Sequence, residues 1–269
     1  MSSGVNAGRA GTDGFRSFLT SKAGRYTIRG TMLVLLIGLW QMAGDDSVAL
    51  LFPTFTRTFG AFVDLMADGR LPMALLITGQ SLAVGLAIML GIGIPLGVVI
   101  ARIPLVDRAV SPYFTFLVAI PIIALVPVVQ ALLGLTFAAR VTIIVLFGIS
   151  YVVINSAIAV RRVDPALVEM AKSYGANRRD VMFGVVLPAA VPGIMTGVRI
   201  ALGQALIGMV VAELTIVGAG IGSLIAELQG RFRVAPVLAI AITIVLVGVV
   251  LMTAVERLEK HLSRWSTPR

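Results

Sequence analysis

Long apolar stretches separated by short polar segments run through most of the chain. A helix needs about 20 predominantly apolar residues to cross the hydrocarbon core of a bilayer, and most of the stretches reach that length. The six stretches cover residues 28–43, 74–101, 109–134, 139–160, 189–212 and 235–255. The pattern therefore predicts an all-α, polytopic membrane protein with six transmembrane helices.

The polar ends of the chain define the predicted domain boundaries. We expect an N-terminal tail at residues 1–27, a transmembrane domain at residues 28–256 and a C-terminal tail at residues 257–269. More than 25 residues precede the first apolar stretch, which opens a regular series of such stretches. We therefore interpret this stretch as an uncleaved helix rather than as the core of a secretory signal.

Between the first two apolar stretches, aromatic and aliphatic residues recur at helical spacing. They are Phe55, Phe59, Phe62, Val63 and Met66. The spacing indicates an amphipathic helix. Such a helix either lies at the outer membrane interface or serves as a packed connector.

The distribution of charge orients the predicted helices. The 269-residue chain has 22 lysines and arginines, 13 aspartates and glutamates, and a formal net charge of +9. Six spans place both termini on one side, and 16 of the basic residues fall on that side against five on the other. Basic residues concentrate in the cytoplasmic segments of membrane proteins, so we predict cytoplasmic termini. Topology thus explains the positive charge, and we expect no nucleic-acid partner.

Residues that carry enzyme chemistry are scarce in this sequence. The chain has no cysteine, and its one histidine, His261, lies in the charged C-terminal tail, which excludes disulfides, thiolate metal sites and cysteine nucleophiles. The nucleotide-binding pattern Gly-x-x-x-x-Gly-Lys-Ser/Thr does not occur. Gly93 with Gly97, and Gly193 with Gly197, form small-xxx-small pairs that indicate close helix packing. We therefore expect no catalytic residue, metal site, cofactor or ATP site in this chain.

The polar segment before the fifth apolar stretch carries the signals of two short helices. Asp164 can cap the first helix and Pro165 suits its first turn. Gly175 is placed to end that helix, because glycine tolerates the left-handed conformation that a helix stop often needs. Asn177 and Asp180 have the spacing of a capping box for the second helix.

Apolar residues follow one face of the first short helix at i, i+3, i+4 and i+7. They are Leu167, Met170, Ala171 and Tyr174. An apolar stripe of this kind is typical of a helix that docks onto a partner protein. It is equally typical of a loop helix that rests on its own membrane domain, and periodicity does not distinguish the two.

The same segment resembles the signature of the inner-membrane permease subunits of binding-protein-dependent ABC importers. That signature has a Glu-Ala-Ala start, a glycine, an aliphatic residue and a Leu-Pro at fixed spacing. The matching residues are Glu169, Ala171, Gly175, Val185, Leu187 and Pro188, with Met170 in place of the usual first alanine. The stretch from Gly197 to Leu214 and the GAGIG that follows resemble the branch that imports nitrate, aliphatic sulfonates, taurine and bicarbonate.

The resemblance implies a type I ABC importer permease fold with a coupling loop at residues 161–188, in which the first short helix docks in a groove of a separate ATPase subunit. Glu169 would pair with a basic residue of the ATPase, and Gly175 would permit the bend after the helix. The residues that the resemblance assigns to this coupling are Asp164, Leu167, Glu169, Met170, Ala171, Tyr174, Gly175, Leu187 and Pro188.

The resemblance also implies partners, a location and a cargo. The partners are two ATPase subunits, a second copy of the permease, a periplasmic or lipid-anchored solute-binding protein, and the lipids of the bacterial inner membrane. The cargo would be a small anionic solute such as nitrate, a sulfonate or taurine. The alternative is a self-sufficient secondary transporter or channel, which requires inverted repeats or a mid-membrane relay of acids. We find neither pattern in the sequence.

Polar residues within the apolar stretches are the candidates for a translocation pathway. They are Gln130, Asn155, Arg199, Gln204 and Glu213. Arg199 is costly to expose to lipid, and it either attracts an anion or forms a structural tie to an acid or to backbone carbonyls. Glu213 suggests an interfacial or gate contact, and the amides either line a channel or join helices. Pro121 and Pro127 predict a bent helix next to a pore.

Overall fold

The computed structural model describes residues 22–44, 52–216, 218 and 220–262, and all regular structure within them is helical. The helices are α1 (Lys22–Ala43), α2 (Phe55–Ala67), α3 (Arg70–Arg102), α4 (Pro104–Ala119), α5 (Val126–Leu133), α6 (Phe137–Arg161), α7 (Pro165–Ser173), α8 (Arg178–Val181), α9 (Leu187–Thr215), α10 (Ile221–Gly230) and α11 (Val234–Leu262). A 3₁₀ turn at Ile122–Leu125 joins α4 to α5, and a π turn at Met182–Val186 joins α8 to α9. The predicted all-α class is confirmed. Part of each predicted tail is helical, because α1 begins at Lys22 and α11 extends to Leu262.

Among the residues that the structure describes, four helical segments are long and apolar enough to cross a membrane. They are α3, α6, the segment Arg178–Thr215 and α11. A fifth span is gained if α4 and the segment Ile122–Leu133 are counted together, although they are bent by 100°. The apolar part of α1, Gly30–Ala43, is only about 21 Å long at 1.5 Å per residue. The structure therefore has four or five spans by these criteria, where the apolar pattern predicts six.

The centre of the fold is α6, which packs extensively against α9 and against α3. Glycines allow these close approaches. A Cβ atom at Gly97 would lie 2.6 Å from the Cβ of Ser156, and one at Gly197 would lie 2.5 Å from the Cβ of Asn155. Real Cβ atoms do not approach so closely, so the prediction that these glycines serve helix packing is confirmed.

At the end of the bundle opposite α7, several segments pack around a cluster of apolar residues. Leu71, Ile221, Leu228 and Ile240 are buried in this cluster, together with Leu65 from α2. The opposite side of α2 leaves Phe59, Val63 and Met66 exposed. The predicted amphipathic helix is therefore present, and one of its faces serves as a packed connector.

The first helix, α1, stands apart from the bundle and leaves most of its apolar side chains exposed, from Met32 to Met42. Its attachment is at its C-terminal end, where the Trp40 ring packs edge-on against Phe55 with the ring centroids 5.4 Å apart. The indole N–H of Trp40 also donates to the carbonyl of Pro53 at 3.1 Å. An apolar helix with so little packing against the other described residues needs further cover, and lipid or another protein would supply it.

Candidate functional site

The helix α7 has a defined start and a defined stop. Asp164 Oδ1 accepts a hydrogen bond from the N–H of Ala166 at 2.9 Å, and Pro165 occupies the first turn. At the other end Gly175 has a φ of 82°. The N–H of Ala176 donates to the carbonyl of Ala171 at 3.1 Å, and the N–H of Gly175 donates to the carbonyl of Lys172 at 2.9 Å. These are the two hydrogen bonds of a Schellman motif. The predicted roles of Asp164, Pro165 and Gly175 in shaping the helix are confirmed.

The short helix α8 begins with the predicted capping box. The side-chain oxygen of Asn177 accepts from the N–H groups of Arg179 and Asp180, at 2.9 and 3.0 Å. The Asp180 carboxylate accepts in return from the N–H of Asn177 at 3.2 Å. The two helices therefore meet at a turn in which capping hydrogen bonds pair backbone groups at both helix ends.

Two faces of α7 have different surroundings. Val168 and Ala171 pack against the bundle, in a cluster with buried residues at the end of α6 and the start of α9. Leu167, Met170 and Tyr174 are exposed, Tyr174 to 87%. The predicted stripe is divided between the two faces, because successive helical residues are rotated by about 100° and Ala171 lies on the side facing the bundle. The helix α7 thus rests on its own domain, and it also leaves an apolar face exposed.

The π turn carries the chain from α8 into α9. The N–H of Leu187 donates to the carbonyl of Met182, one residue further back than in an α-helix. Pro188 has no N–H for the next bond of the ladder, and its ring crowds the carbonyl four residues before it, so a local widening relieves the strain. Val186 in this turn is fully buried, whereas Phe183 is 69% exposed. The exposed Phe183 lies within the span of the predicted signature, between Gly175 and Val185, but it is not one of the signature residues.

Glu169 lies on α7 with its side chain exposed. Within the described part of the chain, no basic side chain is within ion-pair distance of its carboxylate. The Glu169 carbonyl accepts the hydroxyl of Ser173 at 3.0 Å, which leaves the side chain unaffected. The carboxylate is therefore available for a contact outside this chain.

Arg199 forms a charge cluster with the last helix. Its guanidinium nitrogens lie 3.2 Å from the Glu259 carboxylate and 3.8 Å from that of Glu256, both on α11. Of the alternatives open for Arg199, a tie to acids is the one that the structure contains. Its positive charge is already balanced in this chain.

Glu213 is a buried acid that holds several segments together. The Arg140 Nη1 lies 3.7 Å from one carboxylate oxygen, and the N–H of Gly222 donates to the other at 3.1 Å. Beside it, Thr78 Oγ1 accepts from the N–H of Ile221 at 3.0 Å. A Cβ at Gly222 would lie 1.7 Å from the Glu213 carbonyl oxygen, which explains the glycine-rich GAGIG. This cluster joins α3, α6, α9 and α10.

The three pathway amides occupy separate positions. The Asn155 side chain donates to the Tyr151 carbonyl at 2.8 Å, at the close contact between α6 and α9. Gln130 and Gln204 are half-buried on α5 and α9. Within the described residues, no hydrogen bond or ion pair joins any two of the five pathway candidates. The structure therefore does not assemble them into one site.

The bent pair α4–α5 interrupts the helical ladder. The helix α4 ends at Ala119, and Pro121 has no N–H to donate to the carbonyl of Leu117. Pro127 lies in the first turn of α5, where a proline is well tolerated. Pro121 and Ile123 are exposed in the single chain. The bend predicted from the prolines is confirmed, and its place beside a pore stays a prediction.

Comparison with known proteins identifies the family. The model of the family described as "Binding-protein-dependent transport system inner membrane component" matches residues 93–264, well over half of the chain. The chain belongs to this family. The permease resemblance that rests on the segment from Glu169 to Pro188 is thus confirmed.

Permeases similar to this chain are named for different cargoes. This permease is 29% identical over 241 residues to the putative aliphatic sulfonates transport permease protein SsuC of Bacillus subtilis (strain 168), covering 88% of this chain and 87% of that protein. The riboflavin transport system permease protein RibX of Chloroflexus aurantiacus is 30% identical over 235 residues, with coverages of 87% and 88%. The nitrate import permease protein NrtB of Leptolyngbya laminosa is 28% identical over 224 residues, with coverages of 81% and 80%.

A solved structure shares the fold. The inward-facing MetNI methionine ABC transporter matches the permease with a TM-score of 0.57 over 70% of this chain and 94% of that chain, at 17% identity. At this identity the likeness concerns the fold alone. The permease therefore resembles ABC importer permease structures in its helical arrangement.

Family membership defines the permease as a component and not as a complete transporter. It is a multi-pass inner-membrane permease of an ABC system and is not itself an ATPase. A binding-protein-dependent ABC system implies an ATPase subunit and a solute-binding protein. The expectation that ATP is hydrolysed by a partner subunit agrees with this membership.

Proposed function

We propose that this permease forms one half of the membrane unit of an ATP-driven importer and that α7 couples it to the ATPase. The observation that supports the proposal is the division of α7 into two faces. Val168 and Ala171 hold the helix against the bundle, while Leu167, Met170 and Tyr174 face outward. A short helix with both ends capped moves as a unit, so movement imposed on its outer face is passed to the bundle.

The proposed route of that movement leads through the π turn into α9. Asp164 and Gly175 fix the two ends of α7, and Leu187 and Pro188 begin α9. A π turn inside a helix often marks a functional site, because its widened ladder adapts at low cost. Glu169 would add a charged contact to the ATPase, since its carboxylate is exposed and has no basic partner among the described residues.

In the proposed membrane arrangement α1 is the sixth span of a domain at residues 28–256, and both termini and the coupling loop at residues 161–188 are cytoplasmic. The whole of α1 has 22 residues, about 33 Å, and basic residues at its start can reach the interface. This orientation also follows the excess of basic residues on the side of the termini.

A second copy of the permease would cover the apolar surfaces that one chain leaves open. These surfaces are α1 and the bent pair α4–α5, where Leu105, Tyr113, Phe116 and Leu132 are all more than half exposed. Carbonyl groups freed at the break are costly in lipid but are tolerated beside protein or a water-filled cavity. A pair of permeases, each with its own α7, would engage two ATPase subunits.

The proposed cargo is a small anionic solute, such as nitrate, a sulfonate or taurine, delivered by the binding protein. The proposal is supported by two similar permeases that are named for aliphatic sulfonates and for nitrate. Arg199 does not add to that support, because Glu256 and Glu259 balance its charge. The residues proposed to line or border the pathway are Gln130, Asn155, Arg199, Gln204 and Glu213.

Mild purification from the host and reconstitution in vesicles test the proposed function. We expect an ATPase subunit to copurify, and we expect solute uptake only with ATP, the ATPase and the loaded binding protein all present. An ATPase inactivated in its nucleotide site is the control. Uptake by the permease alone under an ion gradient would contradict the proposal and favour a secondary transporter.

A further inference from the structure

A cleft of about 410 Å³ opens between α7 and the ends of α3 and α6. We call it the α7 cleft. Its charged residues and two of its apolar residues are Arg102, Arg161, Glu169, Lys172, Val168 and Val186. Nothing in the coupling role described above uses the basic residues of this cleft.

Three positive charges reach the α7 cleft from three different helices. Arg102 is in the last turn of α3, Arg161 in the last turn of α6 and Lys172 in the last turn of α7. A cation in the last turn of a helix is favourable on its own, because the free carbonyls there carry partial negative charge. That effect explains each residue separately, but it does not require the three to line one shared cleft.

The three basic residues are held differently. Arg161 is fixed by the carboxylate of Asp107 at 2.7 Å and by the carbonyl of Ile100 at 3.4 Å. Arg102 and Lys172 are exposed, and among the described residues no carboxylate is within ion-pair distance of either. The one carboxylate in the lining is that of Glu169. After Arg161 is balanced by Asp107, the cleft keeps a net positive charge of one.

The chemistry of this cleft fits a phosphate that is attached to an apolar body. Two exposed cations suit a phosphodiester, while Val168, Val186 and neighbouring valines supply apolar contact. The apolar helices α3 and α6 end at the cleft, so a bilayer that both helices cross would have its headgroups near the cleft. Basic pockets between membrane helices on the cytoplasmic side commonly hold anionic headgroups.

We propose that the α7 cleft binds the headgroup of an anionic phospholipid from the cytoplasmic leaflet. The phosphate lies between Lys172 on α7 and Arg102 on α3, and so links the coupling helix to the membrane helices. Binding by this site does not require α7 to dock onto the ATPase. An effect of the bound lipid on coupling does require that docking, so this part of the inference rests on the proposed function.

The test uses the delipidated permease in neutral detergent, alone and in complex with its ATPase, titrated with short-chain phosphatidylglycerol. We expect phosphatidylglycerol to raise the thermal unfolding temperature, and phosphatidylcholine with the same chains to have little effect. Lys172→Gln and Arg102→Gln are each expected to weaken the apparent Kd about fivefold, which corresponds to about 1 kcal/mol for one basic residue near an anionic surface. Lys172→Arg keeps the charge and should retain binding.

The matched controls are Arg178→Gln and Arg179→Gln, which remove exposed basic residues of the same loop that do not line the cleft. If either control weakens binding as much as Lys172→Gln, the lipid responds to general surface charge and the site is wrong. Equal shifts with phosphatidylcholine would also overturn it. If glycerol 1-phosphate alone gives the full shift at the same concentration, the ligand is soluble and the lipid assignment is wrong.

A second readout separates this inference from the coupling role. In vesicles with and without phosphatidylglycerol, we expect the anionic lipid to raise ATP-driven uptake in the unsubstituted permease and much less in Lys172→Gln. Unchanged lipid binding together with absent ATPase association would contradict the proposed function alone. Absent lipid binding in a complex that transports normally would contradict the lipid site alone.

Discussion

Replacing Gly175 by alanine tests how the end of α7 contributes to coupling. Gly175 has a φ of 82°, in the left-handed region that costs an L-residue about 1–2 kcal/mol. A Cβ at this position would meet no atom within 4 Å, so the cost is confined to the backbone. A penalty of about 1–2 kcal/mol shifts the equilibrium between the closed and the open helix end by about 5- to 30-fold.

Two variants complete the series. Asparagine tolerates the left-handed conformation better than alanine does, so Gly175→Asn should have a smaller effect. Gly60→Ala is the control, because Gly60 lies in α2 outside the coupling loop, has no positive φ, and its Cβ would meet no atom within 4 Å. We therefore expect the effect to decrease in the order Gly175→Ala, Gly175→Asn, Gly60→Ala.

Hydrogen exchange measures the predicted opening directly. The N–H groups of Gly175 and Ala176 close the helix end with bonds of 2.9 and 3.1 Å, and opening exposes both. We expect exchange of these amides to be about 5 to 30 times faster in Gly175→Ala. Solute imported per ATP hydrolysed should fall in the same order of variants. If Gly175→Ala exchanges and transports like Gly60→Ala, the reasoning about the helix stop is wrong.

Two further predictions concern the bundle. Gly97→Ala should lower the thermal unfolding temperature in detergent, because the new Cβ would lie 2.6 Å from Ser156 and overpacking costs about 1–3 kcal/mol. Gly30→Ala is the control, because its Cβ would meet nothing within 4 Å. Equal stability of the two variants would contradict the packing account. Glu213→Gln should destabilise the permease by about 3–5 kcal/mol, because it removes one partner of a buried ion pair. Glu227→Gln, in an exposed pair, should cost about 1 kcal/mol or less, and a similar loss from both would refute the role of Glu213.

Local patterns predicted the helices and their ends well. The apolar stretches at residues 74–101 and 139–160 correspond to α3 and α6, because burial in lipid demands an unbroken apolar run. Asp164, Asn177 and Gly175 act where capping chemistry places them, since caps depend on residues only three or four positions away. The family signature was recognisable for the same reason, because it lies in one continuous loop.

Features that depend on contacts between distant segments were not predictable. Arg140 and Glu213 meet although they belong to different helices, and the pairing of Arg199 with α11 is of the same kind. The sequence pattern did not predict the helix α10, because its apolar residues follow a glycine-rich turn and are too few to suggest a span. Periodicity placed Ala171 in one apolar stripe with Leu167, Met170 and Tyr174, whereas the position of the bundle decides which residues of α7 are covered.

The central claim is that the exposed face of α7 binds the ATPase, and the affinity between the two subunits tests it most directly. Tyr174 is 87% exposed, so Tyr174→Ala should change stability by only about 0.5 kcal/mol. Because Tyr174 would be an aromatic anchor of the interface, its replacement should weaken the binding free energy by about 2 kcal/mol, which corresponds to about a 30-fold weaker Kd. Phe59→Ala, also more than half exposed but on α2, should leave the affinity unchanged. A folded Tyr174→Ala permease that binds the ATPase with the original Kd would contradict the account.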